Sequence, residues 1–284
     1  MTEKLIVGMD PRLSINVYPR LDRKFEKRGS LNFDLVRTKI FRDRPEPPKL
    51  WLLRYKIYAL IGVGTGLTTV LITQLENALS WLKVSVTDNI IGGAGNNLYW
   101  GWVFFVSVSM VLGFTAAVLV VYLAPSAAHS GTVEMMSYLN GVNNCDWFGL
   151  EMFFVKATAI ILAGASGLCV GKTGTFPHIG AMIGLGAVYL PFRDFDFFHV
   201  DYHKREFVSA GLACGIAVAF GAPIGGTLFG YEISQPNFYY QFNNLWRTFL
   251  TCTLGVIVYS FCVDVRYVGS LPEGWVLNSS PMRF

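Results

Sequence analysis

The chain has 284 residues, of which 52% are hydrophobic and only 15% charged, with a mean hydropathy of +0.42. A soluble domain carries about 25% charged residues, so these figures exclude an ordinary water-soluble enzyme and indicate an all-α polytopic membrane protein. The formal net charge is +4, and 12 of the 23 Lys and Arg fall within residues 1–50.

Residues 1–50 form a basic N-terminal segment. The positive-inside rule places it on the cytoplasmic side, and no apolar stretch in its first part reads as a signal peptide. Its acids, Glu3, Asp10, Asp22, Glu26, Asp34, Asp43 and Glu46, break up the basic run. They favour a solvated tail near lipid headgroups over nucleic-acid binding. Pro45-Glu46-Pro47-Pro48 ends it as a linker. Residues 51–264 form the transmembrane part and 265–284 a polar tail. The first spanning segment covers Arg54 to Leu82, with Gly62, Gly64 and Gly66 at a spacing that suits close helix contact. Gly92 to Asn97 is a loop, and Tyr99 to Leu123 is a second long apolar segment stopped by Pro125. Ala127 to Gly141 is too short to span. Phe148 to Val170 is apolar, with Glu151 and Lys156 near its start. The Gly-rich turn Gly171 to Gly180 precedes Phe176 to Leu190, and Arg193 to Glu206 is a polar, aromatic loop. Phe207 to Phe220 and Pro223 to Ile233 are split by Gly221-Ala222-Pro223, and each is shorter than the roughly 20 residues that a spanning helix needs. Leu245 to Val263 is the last apolar segment. Gly180/Gly184 and Gly225/Gly226 are expected to pack against protein.

Interrupted helices at membrane depth are tolerated where they are buried in protein or line a cavity. Each interrupted helix leaves its first N–H groups unpaired, and its dipole puts about half a positive charge there. Ser130-Gly131, Gly174-Thr175 and Gly221-Ala222-Pro223 can supply three such ends, and Ser130 adds a hydroxyl donor. Converging ends hold a bare anion without a full fixed charge, so the anion can also leave.

Three ordered stretches resemble the CLC chloride channel and transporter family. Pro125-Ser126-Ala127-Ala128-His129-Ser130-Gly131-Thr132-Val133-Glu134, followed by Tyr138-Leu139-Asn140-Gly141-Val142, is similar to its first signature. Gly171 to Gly180 is similar to the second. Phe207-Val208-Ser209-Ala210-Gly211 through Gly221-Ala222-Pro223-Ile224-Gly225-Gly226 to Phe229 is similar to the long run that follows. The similarity runs from about residue 50 to about 263 and is strongest to eukaryotic intracellular and plant-type branches. It implies the first of the two inverted halves of that fold, with short broken helices. It also implies that Ser130 and Gly131, with the backbone of Lys172, Thr173 and Gly174, contact chloride as the ligand, with no cofactor. The family's gating glutamate falls on Thr173, and an inner proton-relay position falls on Ile233. Both are uncharged here, so chloride transport without proton coupling is expected. His129, Thr132-Val133 and Thr175 also depart from the family pattern, and a bulky residue at 129 is expected to crowd the helix end.

Since the resemblance covers one half only, the chain is expected not to conduct by itself if these 284 residues are the whole natural chain. It is expected to need a second CLC-like half, a further copy of itself or other membrane subunits, in an intracellular organelle membrane. The competing readings are a non-conducting, CLC-derived structural subunit of a larger complex and a fragment of a longer transporter.

Rival chemistry is weaker. Ser166 stands where a phosphate-binding GxxxxGK[ST] loop requires Gly. His199 and His203, four apart with Asp196 and Asp201, fit a polar loop better than a metal site. His178 reads as a structural hydrogen-bonder. Lys156 and Glu151 read equally as interfacial or functional charges, and Glu232 as a buried, hydrogen-bonded acid. Cys145, Cys169, Cys214, Cys252 and Cys262 contain no CxxC pair and read as packing residues. No catalytic Ser-His-Asp order or paired carboxylates point to an enzyme.

Overall fold

The computed structural model describes residues 48–92, 98–140, 142, 147–189, 201–234 and 242–267. Eight α-helices and one 3-10 turn account for nearly all of them: α1 (Pro48–Ile91), α2 (Leu98–Leu123), the turn Pro125–Ala128, α3 (Thr132–Leu139), α4 (Leu150–Ser166), α5 (Lys172–Val188), α6 (Asp201–Phe220), α7 (Pro223–Ser234) and α8 (Phe242–Tyr267). Three of the helices, α1, α2 and α8, are long and apolar enough to cross a membrane. The architecture is all-helical, with short helices between the long ones. Most of the N-terminal segment, the loop at 93–97, His199, Cys145 and residues 268–284 lie outside the described residues.

Several boundaries move. α1 is 44 residues long, because no Pro interrupts the chain from Lys49 to Ile91 and the Gly residues at 62, 64 and 66 are held by close neighbours. A Cβ at Gly62 would fall 2.7 Å from the Thr251 carbonyl oxygen, and one at Gly66 would fall 2.9 Å from that of Gly255. These two glycines let α1 lie directly on α8. α5 begins at Lys172, four residues before the expected start at Phe176. Gly171 is its N-cap, and a first turn needs no backbone partners for its N–H groups, so Gly174 does not break it. α6 is 20 residues long; the polar stretch expected as a loop supplies its first turns from Asp201.

His203, Arg205 and Glu206 of that stretch are buried and partnered, which is why this part can be helical. Glu206, on α6, accepts from Tyr58 of α1 at 2.6 Å and from Arg247 of α8 at 3.2 Å. It also lies 3.5 Å from Arg54 of α1. His203 Nδ1 accepts from the Arg54 guanidinium at 3.3 Å, and Arg247 also donates to Asn244 at 3.0 Å. The Arg205 guanidinium donates to the Tyr138 carbonyl and lies over the Tyr138 ring, 4.6 Å from its centroid. His203 is thus engaged in an ionic cluster that ties the first turns of α1, α6 and α8 together. The sequence reading missed this cluster, since each member alone looks like a surface charge.

The core is built on small-residue contact. Gly180 of α5 and Gly211 of α6 face each other so closely that a Cβ on either would overlap the other's carbonyl oxygen; Gly184 meets Phe207 in the same way. Gly226 of α7 lies against Ala213, 2.6 Å from its carbonyl oxygen to the position of a Cβ. Gly225, expected to pack similarly, is exposed, because it faces away from α6. Cys214 and Cys252 are buried at the α6–α8 contact, with Cys214 Sγ 2.7 Å from the Thr65 hydroxyl. Cys169 departs from the packing role: it lies beyond the end of α4 and is exposed.

Candidate functional site

The chain breaks before α3 and before α5 because both places carry residues that a helix interior rejects. Pro125 opens the 3-10 turn, and Gly131 takes φ +92°, a left-handed conformation that a Cβ disfavours. A Cβ on Gly131 would also run into the His178 ring. At the other break, Gly167 caps α4 with φ +92°, and four residues later Gly171 caps α5.

These two breaks meet. A Cβ at Gly174 would fall 2.7 Å from Ser130 Cβ, so the first turn of α5 lies directly against Ser130. Both belong to the wall of a cavity of about 1040 Å³, with Thr173, Lys156, His129 and Phe229. The N–H groups of the first turn of α5 have no acceptor within the helix, and the helix dipole is positive there. Pro177, inside α5, lacks the N–H that would close onto the Thr173 carbonyl, so that oxygen also loses its helical partner. The Thr175 hydroxyl donates to the Lys172 carbonyl at 3.2 Å.

Behind Ser130 lies a buried polar network. Lys156, only 2% exposed, donates to the His129 carbonyl at 2.9 Å and to His178 Nδ1 at 2.7 Å. His178 is fully buried, and its Nε2–H donates to the Trp147 carbonyl at 3.0 Å. An ammonium has no lone pair, so Nδ1 must accept from Lys156, and Nε2 must carry the ring proton. Lys156 is therefore no interfacial charge: it braces the turn that presents Ser130. The His129 ring is exposed, and the residue's main link to the network is through its carbonyl.

Not every residue expected at the site reaches it. The Lys172 side chain turns to Glu76 of α1, with Nζ 2.7 Å from Oε2. Gly131 sits behind the wall, against His178. Gly221, Ala222 and Pro223 form a helix break, with Gly221 at φ +66°. They lie outside the described cavity wall, to which the adjoining helices contribute Ile216, Phe220 and Phe229 instead. Ile233 is buried in a separate apolar cluster with Met135, Tyr138 and Leu212. Glu232, expected to be buried, is exposed, because it falls on the opposite face of α7 from Gly226 and Gly230. Among the described residues, no group of three or more His, Cys, Asp or Glu is placed to hold a metal ion. The residues that sequence reading missed are Glu76 and Lys83. Lys83 gives its ammonium to the Ala165 and Ser166 carbonyls at the end of α4, at 2.8 and 3.3 Å. Both are ionisable groups within an apolar helix, which was the available signal.

Residues 112–282 match the family model described as voltage gated chloride channel. The chain is 35% identical over 239 residues to the H(+)/Cl(-) exchange transporter 7 of Mus musculus, covering 80% of this chain and 28% of that protein. It is 28% identical to chloride channel protein A of Dictyostelium discoideum, covering 88% of this chain and 31% of that protein. It is 29% identical to chloride channel protein CLC-a of Arabidopsis thaliana, covering 83% and 32%. The crystal structure of a eukaryotic CLC transporter superposes with a TM-score of 0.64 at 27% identity, covering 74% of this chain and 38% of that one. The chain therefore spans about three-tenths of the length of these curated relatives.

Proposed function

Because the chain belongs to the voltage gated chloride channel family, we propose that it forms one wall of a chloride path through an intracellular membrane, working without proton coupling. The observation that carries this reading is the meeting of Ser130 with Gly174 in one cavity wall. A hydroxyl donor and a helix N-terminus there converge on a space that holds no carboxylate from α5. A dehydrated anion gains from such donors without a full countercharge, and so remains able to leave.

The absence of proton coupling rests on Thr173. A threonine hydroxyl cannot give up a proton near neutral pH, and the residue stands in the cavity wall where the resemblance puts a gating glutamate. Some relatives bear the name of proton–chloride exchangers, so the distinction calls for measurement. In liposomes holding the protein together with the subunits that complete the path, a chloride gradient should drive chloride efflux with no accompanying proton movement. Thr173→Glu should introduce proton movement. Chloride-driven acidification or alkalinisation by the unaltered protein would overturn the uncoupled reading. The rest of the path would come from a second CLC-like half, from another copy or from other membrane subunits.

A further inference from the structure

Glu76 is a carboxylate set within α1, the longest apolar helix. An ionisable group there is tolerated when it faces protein and finds a partner. Its Oε2 lies 2.7 Å from Lys172 Nζ, and its side chain is 12% exposed. The carboxylate rests on Gly164 of α4, where a Cβ would fall 2.6 Å from Glu76 Cδ. Glycine at 164 is what leaves room for it. α1, α4 and α5 thus meet at this ion pair.

Lys172 is the first residue of α5, immediately before Thr173 and Gly174 in the cavity wall. Its ammonium and the N-terminus of α5 both favour an anion. A carboxylate held at the same point opposes one. Lys83, two turns along α1, does not neutralise Glu76, since its ammonium is committed to the carbonyls that end α4. We propose that Glu76 sets the anion affinity of the Ser130–Gly174 wall by neutralising Lys172, an inference that rests on the chloride reading above. The carboxylate competes with chloride for the positive field at the start of α5. It does so from another helix, while α5 itself presents the uncharged Thr173.

The test is a chloride titration by calorimetry on the full-length protein in lipid nanodiscs, paired with thermal unfolding. Glu76→Gln keeps the shape and frees the Lys172 charge, and should tighten chloride binding on the order of tenfold. Lys172→Met leaves the carboxylate uncompensated and should weaken binding by a similar factor. The double variant should return close to the starting affinity. Should Glu76→Gln fail to fold, Glu76→Asp draws the carboxylate back from Lys172 and should give a smaller change of the same sign. A pair that only ties helices together would lower the unfolding temperature in both single variants without opposite changes in affinity, and that result overturns the proposal. Unchanged or weaker binding by Glu76→Gln, with chloride still bound by the unaltered protein, overturns it while leaving the chloride reading intact. No chloride binding by the unaltered protein overturns both.

Discussion

Lys156 shows how a single residue acquires its meaning from what surrounds it. In the sequence it is a basic residue near the start of an apolar segment, and either a headgroup or a buried partner would suit it. What decides between them is 22 residues away in His178, whose Nδ1 accepts from the ammonium, and in the His129 carbonyl. Lys156→Met removes the donor from both acceptors, and an unsatisfied buried polar group costs about 1–3 kcal/mol. We expect a lower unfolding temperature in detergent, together with loss of chloride-dependent stabilisation, because the turn carrying Ser130 is no longer braced. Gly131→Ala should be worse, since the new methyl meets both the left-handed backbone and the His178 ring. A variant that unfolded at the same temperature as the parent would show that the ring and the turn adapt. Ser130 and Gly174 were legible as helix ends from their own residue types. Their contact was not, because nothing in either stretch specifies the other as its neighbour.

At the level of helices, apolar length located α2 and α8 to within a few residues, since periodic hydrophobicity and terminal Pro or polar residues mark such ends well. α5 and α6 began earlier than expected for opposite reasons. Gly171 to Thr175 looked irregular because glycine is a poor helix former, yet a first turn asks little of its backbone and the Ser130 contact needs a residue without a side chain. Asp201 to Glu206 looked like a loop because it is charged, yet Glu206 finds Tyr58, Arg54 and Arg247 on two other helices. Glu206→Gln should therefore destabilise the helix assembly strongly. Removing one partner from a buried ion pair costs about 3–5 kcal/mol, and a correspondingly large fall in unfolding temperature is the readout. Gly211→Leu should prevent α5 and α6 from closing, seen as loss of a monodisperse peak on size-exclusion chromatography.

For the molecule as a whole, α1 at 44 residues is about 66 Å long, twice the roughly 30 Å of a hydrocarbon core. It must tilt or project beyond the bilayer. The positive charge of residues 1–50 predicts a cytoplasmic side for them, so Asp88→Cys should react with an impermeant maleimide only from the opposite side, and labelling from the cytoplasm would reverse the orientation. α2 carries Tyr99, Trp100 and Trp102 at one end and Tyr122 at the other, all exposed, as suits rings resting at the two water boundaries. Between them, Gly113, Ala116, Ala117 and Val120 line the cavity, which fixes its depth part-way through the bilayer. A halide resting there has crossed only a fraction of the transmembrane voltage. With a full crossing worth about 2.3 kcal/mol per 100 mV, its occupancy should depend on membrane potential through the charge of the ion itself.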